Sequence, residues 1–457
     1  MIGEKSNRFS ILSPSGNLTQ VNQLYPRDLN NFAPRASLAW DISGNAKTVL
    51  RAGWGLYYDG FSQDFFVGQL PFNTFNSGPA YNGIGADAIT FSFSPAETIQ
   101  TGVRVFPAAS FAATDVFTVD QGIRTPYVQV YSLNGQQQLT KNVALEVGYV
   151  GSAGRKLFRY RDINQVNPAT GTVQFPALVY VNQFESSANS NYNSLQTSLQ
   201  IRDWHGLTST VNYTWSHSID NASDGQDYVP NATQPDNSFR PDLERANSNF
   251  DMRHHFTWTF NYDLPKLGNV RGLSSGWSFN GVLSLASGQP LNVNYLFEGD
   301  FNGSGEFFGR PDLVGDPFAG TSTPSQFLNV SAFKVPCTLD DEGGCISGTQ
   351  HFGSLGRNAL VGPSFRNFDF SVVKNNKLTE RVSMQLRMDV FNLFNHPNFA
   401  NPLWPNFGVD FLQNGMDATG RGTGFLPITT TPDVGTGNPF LGGGGSRNIQ
   451  FAARLSF

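Results

Sequence analysis

Oxygen-bearing side chains at alternating positions are the first candidates for chemistry in this sequence. Asp300, Asn302 and Ser304 alternate in a glycine-containing segment, as oxygen ligands do at the start of a calcium loop. Where an EF-hand needs its bidentate Glu, this sequence has Pro311. The three residues are therefore weak candidates for another kind of loop calcium site. A solvated turn is the favoured alternative, and we predict no metal.

Other reactive side chains lack the spacing of a catalytic centre. His254 and His255 are adjacent, so they would point to opposite faces of a strand, which favours a position at the rim of a sheet over a shared metal. The sequence contains no Ser-His-Asp ordering, no paired-carboxylate motif and no HExxH. We therefore predict neither enzyme activity nor a cofactor. The acidic residues of the link 217–252 are interpreted as solvated loop residues: Asp220, Asp224, Asp227 and Asp236.

The two cysteines are close in sequence. Cys337 and Cys345 are separated by a short segment that contains Gly343 and Gly344, so they could close a small disulfide loop in an oxidising compartment. Two unrelated thiols are the alternative. No His lies at ligand spacing, which argues against a metal pair.

Segments with alternating apolar and polar side chains recur along the chain. Successive side chains of a strand point to opposite faces, so this period of two predicts strands with one apolar and one polar face. No stretch of helical period competes with it. The apolar rows lie within residues 36–42, 50–56, 131–139, 143–149, 195–201, 211–215, 256–262, 279–285, 368–372, 382–390 and 448–457.

The connections between these segments alternate between short and long. The long ones span roughly residues 58–126, 162–192, 217–252, 288–364 and 394–447. Outer-membrane barrels have short periplasmic turns and long extracellular loops, which gives this alternation. We therefore predict an all-β, transmembrane antiparallel β-barrel. The chain would supply about 11–12 strands, and its very long loops favour an incomplete larger barrel over a closed one of about twelve strands.

The composition fits the same class. Charged residues make up 14% of the 457 residues, against about 25% in a typical soluble protein. Aromatic residues reach 13%, yet the mean hydropathy is −0.28. In a transmembrane barrel only alternate residues face lipid, so a low charge need not bring a high mean hydropathy. The net charge of −5 and the scattered basic residues argue against a nucleic-acid surface.

The two ends of the chain carry further signals. The last segment alternates and stops on an aromatic residue, with Phe451, Leu455 and Phe457 on its apolar face. The first residues have neither the apolar region nor the cleavage site of a signal peptide. We expect residues 1–33 to form a poorly determined start with a partial strand at 9–21, and the whole chain to be a fragment. The strand that closes against Asn448–Phe457 would then lie upstream of Met1, leaving that edge open.

Several segments, taken in chain order, resemble the barrel of Oar-like TonB-dependent outer-membrane transporters. The resemblance covers most of the chain. It rests on residues 32–41 (FAPRASLAWD), 47–59 (KTVLRAGWGLYYD), 145–152 (LEVGYVGS), 192–196 (YNSLQ), 213–220 (YTWSHSID), 251–256 (DMRHHF), 287–290 (SGQP), 387–396 (RMDVFNLFNH) and the terminal strand.

The resemblance implies more than this chain contains. Such transporters have a signal peptide, a regulatory-like β-domain and a plug before a barrel of about 22 strands, and residues 1–457 match only the C-terminal part of that barrel. The partners implied are outer-membrane lipid, the barrel-assembly machinery through Phe451, Leu455 and Phe457, and the TonB complex only through the plug that has no counterpart here. The resemblance also implies the outer membrane of a Gram-negative-type bacterium.

The function expected from this resemblance is binding and energy-coupled passage of a large solute, such as a glycan or a peptide. A self-contained passive pore or an adhesin-like barrel is the alternative. Aromatic side chains in the long links could stack on such a solute or pack the loops over the lumen. They include Phe61, Phe65, Phe66, Phe72, Tyr81, Phe307, Phe308, Phe399 and Trp404.

Overall fold

The computed structural model describes most of the chain as β-structure. The described residues are 9–12, 18–21, 27–60, 116–176, 180–223, 234–266, 268, 274–296, 298–321, 323–401, 409–428, 431 and 445–457. Short 3-10 turns lie at Pro241–Glu244, Pro324–Gln326 and Val330–Ala332. Within these ranges, no helix has both the length and the apolar character needed to cross a membrane.

The strands are numbered in chain order. They are β1 (Phe9–Leu12), β2 (Leu18–Val21), β3 (Arg35–Asp41), β4 (Thr48–Tyr58), β5 (Val116–Val119), β6 (Tyr127–Thr140), β7 (Val143–Asp162), β8 (Val181–Trp204), β9 (Leu207–Asp220), β10 (Ala246–Asn247), β11 (His254–Asp263), β12 (Trp277–Ala286), β13 (Pro290–Leu291), β14 (Val293–Leu296), β15 (Phe308–Gly309), β16 (Asp312–Leu313), β17 (Leu328–Asn329), β18 (Phe333–Lys334), β19 (Leu360–Val361), β20 (Phe365–Lys377), β21 (Ser383–Phe391), β22 (Val409–Asp410), β23 (Phe425–Leu426) and β24 (Asn448–Ser456).

One large sheet organises the molecule. Its path runs β3-β4-β6-β7-β8-β9-β11-β12-β20-β21-β24, and β5 and β10 attach beside it. Every pairing along the path is antiparallel. Each of the eleven segments with alternating side chains therefore lies in a strand of this path or extends at most one residue beyond its end, which confirms those predictions.

The register carries the apolar rows across neighbouring strands. Leu133 pairs with Tyr149, Tyr149 with Leu195, and Leu195 with Trp215. Directly opposed residues of a pleated sheet project from the same face, so these side chains form one continuous apolar surface. All four are exposed in the isolated chain. A surface of that size is stable only against an apolar medium or an apolar partner.

The short connections have local causes. In the turn between β3 and β4, the Asp41 carboxylate accepts hydrogen bonds from Gly44 N at 3.0 Å and Ala46 N at 2.7 Å. Gly44 and Ala46 both adopt positive φ angles, of 68° and 59°, which a tight reversal requires. The carboxylate therefore satisfies backbone donors that the turn leaves unpaired.

Several predicted boundaries were wrong. The expected partial strand over 9–21 is instead a hairpin of β1 and β2 outside the large sheet; Pro14 and Gly16 lie between them and disfavour a continuous strand. The link 162–192 is shorter than predicted because β8 begins at Val181, and Asp220 ends β9 rather than lying in a loop.

β7 and β8 are far longer than a membrane crossing needs. They have 20 and 24 residues, whereas about 9–11 residues of a tilted strand suffice. Their ends beyond Arg155 and before Ser190 therefore project past the apolar surface. β9, β12 and β21 deliver their long connections to the same end of the sheet, because each alternates in direction with its neighbours.

The long connections pack into a body with its own core, which we call the loop cap. It comprises the described parts of residues 158–185, 234–251, 288–364 and 409–428, and it contains β13 to β19, β22 and β23. The segment 288–364 is therefore not an unstructured link. Its apolar core consists of buried side chains that include Leu291, Val293, Tyr295, Phe301, Leu328, Val330, Phe333, Val335, Leu355, Val409, Phe411 and Leu426.

The large sheet has two free edges. β24 pairs with β21 on one side, β3 pairs with β4 on one side, and neither has a second partner among the described residues. The predicted open edge at Asn448–Phe457 is thus present in the described part of the chain.

Candidate functional site

The face of the sheet opposite the apolar surface is polar. Gln196 pairs with Thr214 and Ser198 with Asn212, while Asn261 pairs with Asn280. Amide and hydroxyl groups can both donate and accept hydrogen bonds to water or to a polar solute. This face, together with the loop cap above it, is the candidate surface for solute passage.

A buried arginine joins two segments of the loop cap. The Arg310 guanidinium donates to both carboxylate oxygens of Glu244, at 2.7 and 2.8 Å, and lies 3.7 Å from the carboxylate of Asp236. The side chains of Arg310 and Glu244 are only 7% and 1% exposed. Burial alone would raise the pKa of Glu244, but the charge and hydrogen bonds of Arg310 hold that pKa below its ordinary value.

Asp236 is held differently by the same arginine. Its Oδ1 accepts a hydrogen bond from the Arg310 backbone N–H at 3.2 Å, but the guanidinium is directed to Glu244. Burial raises the pKa of Asp236 to about 6. The positive charge of Arg310 lowers this pKa, and the negative charge of Glu244 raises it. The Arg310 guanidinium thus helps to hold the pKa of Glu244 below its ordinary value, but it offsets only part of the effect of burial on Asp236.

A second arginine fastens the loop cap to the sheet. Arg357 forms an ion pair with Asp220, the last residue of β9. It also donates to the Glu244 backbone carbonyl at 2.9 Å and to Ser223 Oγ at 3.0 Å. These bonds connect the 288–364 segment with both ends of the 217–252 segment, so the outer segments are mutually fixed.

A pair of carboxyl groups occupies the centre of the loop cap. Glu306 is buried and accepts a hydrogen bond from Gln165 Nε2 at 3.0 Å through Oε1. Its second carboxyl oxygen is buried next to Asp162. Burial first, and the neighbouring Asp162 carboxylate second, raise the pKa of Glu306 well above its ordinary value. Protonation of Glu306 removes the repulsion between two buried carboxylates.

Side-chain oxygens of the three calcium candidates accept hydrogen bonds from backbone N–H groups of their own segment. Asp300 Oδ2 accepts from Gly305 N at 3.0 Å, and Asn302 Oδ1 accepts from Ser304 N at 3.0 Å. In the described ranges, no three His, Cys, Asp or Glu side chains are grouped so as to hold a metal ion. One oxygen of each candidate side chain is thus engaged with the backbone of the turn, while Asp300 Oδ1 is buried without a hydrogen-bond partner among the described residues.

Cys337 and Cys345 are joined by a disulfide whose Cα atoms lie 5.7 Å apart. The bond closes a turn at the edge of the loop-cap core, where Cys337 is buried. His254 and His255 begin β11 and project to opposite faces, with His254 Nδ1 at 2.9 Å from Tyr213 Oη. They therefore do not converge on one site.

The terminal residues lie on the apolar surface. Phe451 pairs with Met388 and Leu455 with Met384, and Phe451 and Phe457 are 79% and 92% exposed. Among the loop aromatics, Phe307 is exposed, Phe308 is half-buried and Phe399 lies within the described residues. The others lie outside the described residues: Phe61, Phe65, Phe66, Phe72, Tyr81 and Trp404.

Sequence reasoning missed the arginines of the loop cap. Arg310 and Glu244 are 66 residues apart, and no motif joins them. Asp236 was interpreted as solvated, but the structure buries it. The only available signal was the low charge of the chain, since a few charges in long segments rich in aromatic residues are candidates for buried pairs.

An antiparallel sheet with one continuous apolar face, one polar face and long connections gathered at one end defines an outer-membrane β-barrel protein. The chain belongs to the family described as outer membrane beta barrel domain, whose family model matches residues 4–450. It is a protein of the outer membrane, and its apolar surface faces lipid. The predicted barrel class and location are therefore confirmed.

Solved structures of transporters and receptors resemble this chain. The outer membrane transporter YddB from Escherichia coli has a TM-score of 0.47 at 12% identity, over 89% of this chain and 42% of that chain. A mutant of the ferric enterobactin receptor PfeA from Pseudomonas aeruginosa has 0.41 at 12% identity, over 93% and 40%. The ferric preacinetobactin receptor BauA from Acinetobacter baumannii has 0.41 at 9% identity, over 96% and 38%. This chain thus spans less than half of each. No curated protein matched in sequence.

Proposed function

We propose that this chain is the C-terminal part of the barrel of an Oar-like TonB-dependent transporter. It would bind a large solute, such as a glycan or a peptide, and pass it across the outer membrane with energy from the TonB complex. The observation that carries the proposal is the open sheet, whose two edge strands run in the same direction.

The two edge strands of the sheet run in the same direction, which argues against a self-contained pore. Among the described residues the path has eleven strands and every pairing is antiparallel, so β3 and β24 are parallel to each other. Direct pairing between them would be parallel, whereas bacterial outer-membrane barrels have antiparallel strands in even number. An odd number of further strands between β24 and β3 restores the antiparallel order. A barrel of about twenty-two strands would supply them.

The width of such a barrel explains why transport through it would need energy. A barrel of that size encloses a lumen wide enough to leak unless a plug fills it. A plug that must move requires work, which supports coupling to the TonB complex through a part of the polypeptide outside residues 1–457. The loop cap would form the outer surface that captures the solute.

Uptake by cells tests the proposal. The full-length polypeptide that contains these residues would be expressed with and without TonB, and entry of a fluorescent peptide and a fluorescent oligosaccharide would be measured. We expect uptake of at least one probe to depend on both the polypeptide and TonB. Uptake that continues unchanged without TonB would support the passive pore and contradict the transporter.

Assembly tests the role of the terminal strand. Removing the aromatic side chain in Phe457→Ala is expected to lower the amount of folded protein in the outer membrane several-fold, because the strand would lose its recognition by the barrel-assembly machinery. The amount can be measured by heat-modifiable mobility of membrane fractions. Ser456→Ala, on the polar face of the same strand, is the matched control. Equal loss in both variants would contradict a specific signal.

A further inference from the structure

A groove lies at the outer end of β11, β12 and β20. Its volume is about 510 Å³ and its lining is mostly apolar. The residues that matter for its chemistry are His254, Phe256, Leu285, Ser287, Ser364 and Arg366.

The register places this groove on the lipid-facing surface. Phe256 pairs with Leu285, and Leu285 pairs with Arg366. Directly opposed residues project from the same face, so Arg366 lies in the apolar row that continues through Phe368 and Phe370. β20 begins at Phe365 after a long outer connection. Arg366 therefore stands at the level of the outer leaflet, with apolar side chains on its membrane side.

Two hydrogen bonds fix the backbone of Arg366 to the side chain of Asn398. Its N–H donates to Asn398 Oδ1 at 2.7 Å, and its carbonyl accepts from Asn398 Nδ2 at 3.0 Å. In the described part of the chain its guanidinium has no hydrogen-bond acceptor. The nearest carboxylate along the strand, Asp369, lies at a register position on the opposite face, paired with Val282. The charge thus has no counter-ion on its own face of β20.

Other basic and aromatic side chains lie at the same end of the sheet. The groove also contains His254, whose Nδ1 is engaged with Tyr213 while Nε2 has no partner among the described residues. Arg447 stands just before β24 at the same end, with its N–H on Asn395 Oδ1 at 2.9 Å. Phe394 stacks on Phe368 with ring centroids 5.8 Å apart and is largely exposed, which widens the apolar wall beside Arg366.

We propose that this groove binds a phosphorylated glycolipid of the outer leaflet. Its phosphate would be bound by Arg366, and its acyl chains would lie along Phe256, Leu285 and Phe368. A guanidinium presents two parallel N–H donors that match phosphate oxygens. A cation at the boundary between the apolar and polar layers attracts an anionic headgroup. The inference rests on the outer-membrane location and is independent of the proposed transport.

Lipid binding can be measured on the full-length polypeptide in nanodiscs. The two probes are bisphosphorylated lipid A and the same lipid after removal of its phosphates, each at a low fraction in phosphatidylcholine, with bound lipid counted by native mass spectrometry. We expect tighter retention of the phosphorylated form, and a loss of about tenfold or more in Arg366→Gln, the range expected for a hydrogen bond between charged groups. Arg366→Lys should retain part of the affinity.

Arg454→Gln is the matched control, because Arg454 pairs with Gln385 on the polar face of the sheet and its loss should leave lipid retention unchanged. Equal retention of the two lipids by the unaltered protein would overturn the proposal without reliance on any variant. So would unchanged retention in Arg366→Gln, which would show that the side chain only reaches the headgroup layer. Displacement of the lipid by millimolar inorganic phosphate would show a site for free phosphate instead.

Discussion

Replacing Arg310 with methionine is expected to destabilise the loop cap by about 3–5 kcal/mol, the cost of removing one partner of a buried ion pair. The variant leaves Glu244 and Asp236 buried without their shared cation, and both are almost inaccessible to water. Hydrogen exchange of the segments 234–251 and 298–321 in the full-length polypeptide would measure the loss as reduced protection. The apolar core of the cap should keep part of its protection.

An exposed ion pair in the same segment provides the control. Arg240 and Asp242 are 2.8 Å apart but 58% and 62% exposed, and exposed pairs contribute about 0–1 kcal/mol. Arg240→Met should therefore leave exchange nearly unchanged. The double variant Arg310→Met with Glu244→Leu should recover part of the lost protection, because it removes the stranded charge. Equal effects of Arg310→Met and Arg240→Met would contradict the importance of the buried pair.

The loop cap should be more stable at pH 5 than at pH 8. The pKa values of Asp236, about 6, and of Glu306, well above its ordinary value, are raised in the folded protein. Both groups bind a proton more tightly in the folded state, so their contribution is complete below their unfolded pKa values, near 4. It is lost as the pH rises through the folded values. Asp236 alone would account for about 3 kcal/mol between a pH well below 4 and a pH well above 6.

Glu244 sets the lower boundary of this pH range. Its pKa is lowered, so its contribution is present above its ordinary value and is lost as the pH falls through the lowered one. The cap is thus expected to be most stable at about pH 4 to 5, where Glu244 is ionised and Asp236 and Glu306 are protonated. Hydrogen exchange across pH 5 to 8, corrected for intrinsic rates, should show protection falling by at least about tenfold.

Glu306→Gln tests the cause of this pH dependence. The amide has the shape of the protonated carboxyl group and carries no charge, so protection should be higher at pH 8 and vary less with pH. Asp242→Asn is the matched control, because Asp242 is an exposed carboxylate in the same cap. A pH profile that Glu306→Gln leaves unchanged would place the titration elsewhere.

Much of the large sheet could be predicted from the sequence because its causes are local. The alternation of Phe256, Trp258 and Phe260 with Thr257 and Thr259 is sufficient to indicate a strand with a lipid face. The same holds for the terminal strand, whose apolar residues do lie in the apolar row. The ends of β7 and β8 were missed because beyond the membrane a strand no longer needs an apolar face, and the alternation stops.

The loop cap shows where such prediction ends. Asp236 and Asp220 were interpreted as solvated because they fall in a long link, yet Arg310 and Arg357, more than 60 residues away in sequence, pair with them in the buried interior of the cap. Burial of a charge depends on a partner brought by tertiary packing, and spacing along the chain carries no information about it. The arrangement of Glu306 beside Asp162 is of the same kind.

The sequence by itself determined the class of the protein, because a lipid-facing strand must show a period of two wherever it crosses the membrane. It also determined which end of the sheet carries the long connections, since short and long links alternate. Only the tertiary structure decided that those connections form one packed body with buried ion pairs, and that Arg366 has no counter-ion on the apolar face of the sheet as far as the described residues extend. Both depend on strand register and on long-range contacts, which bring together residues that are distant in sequence.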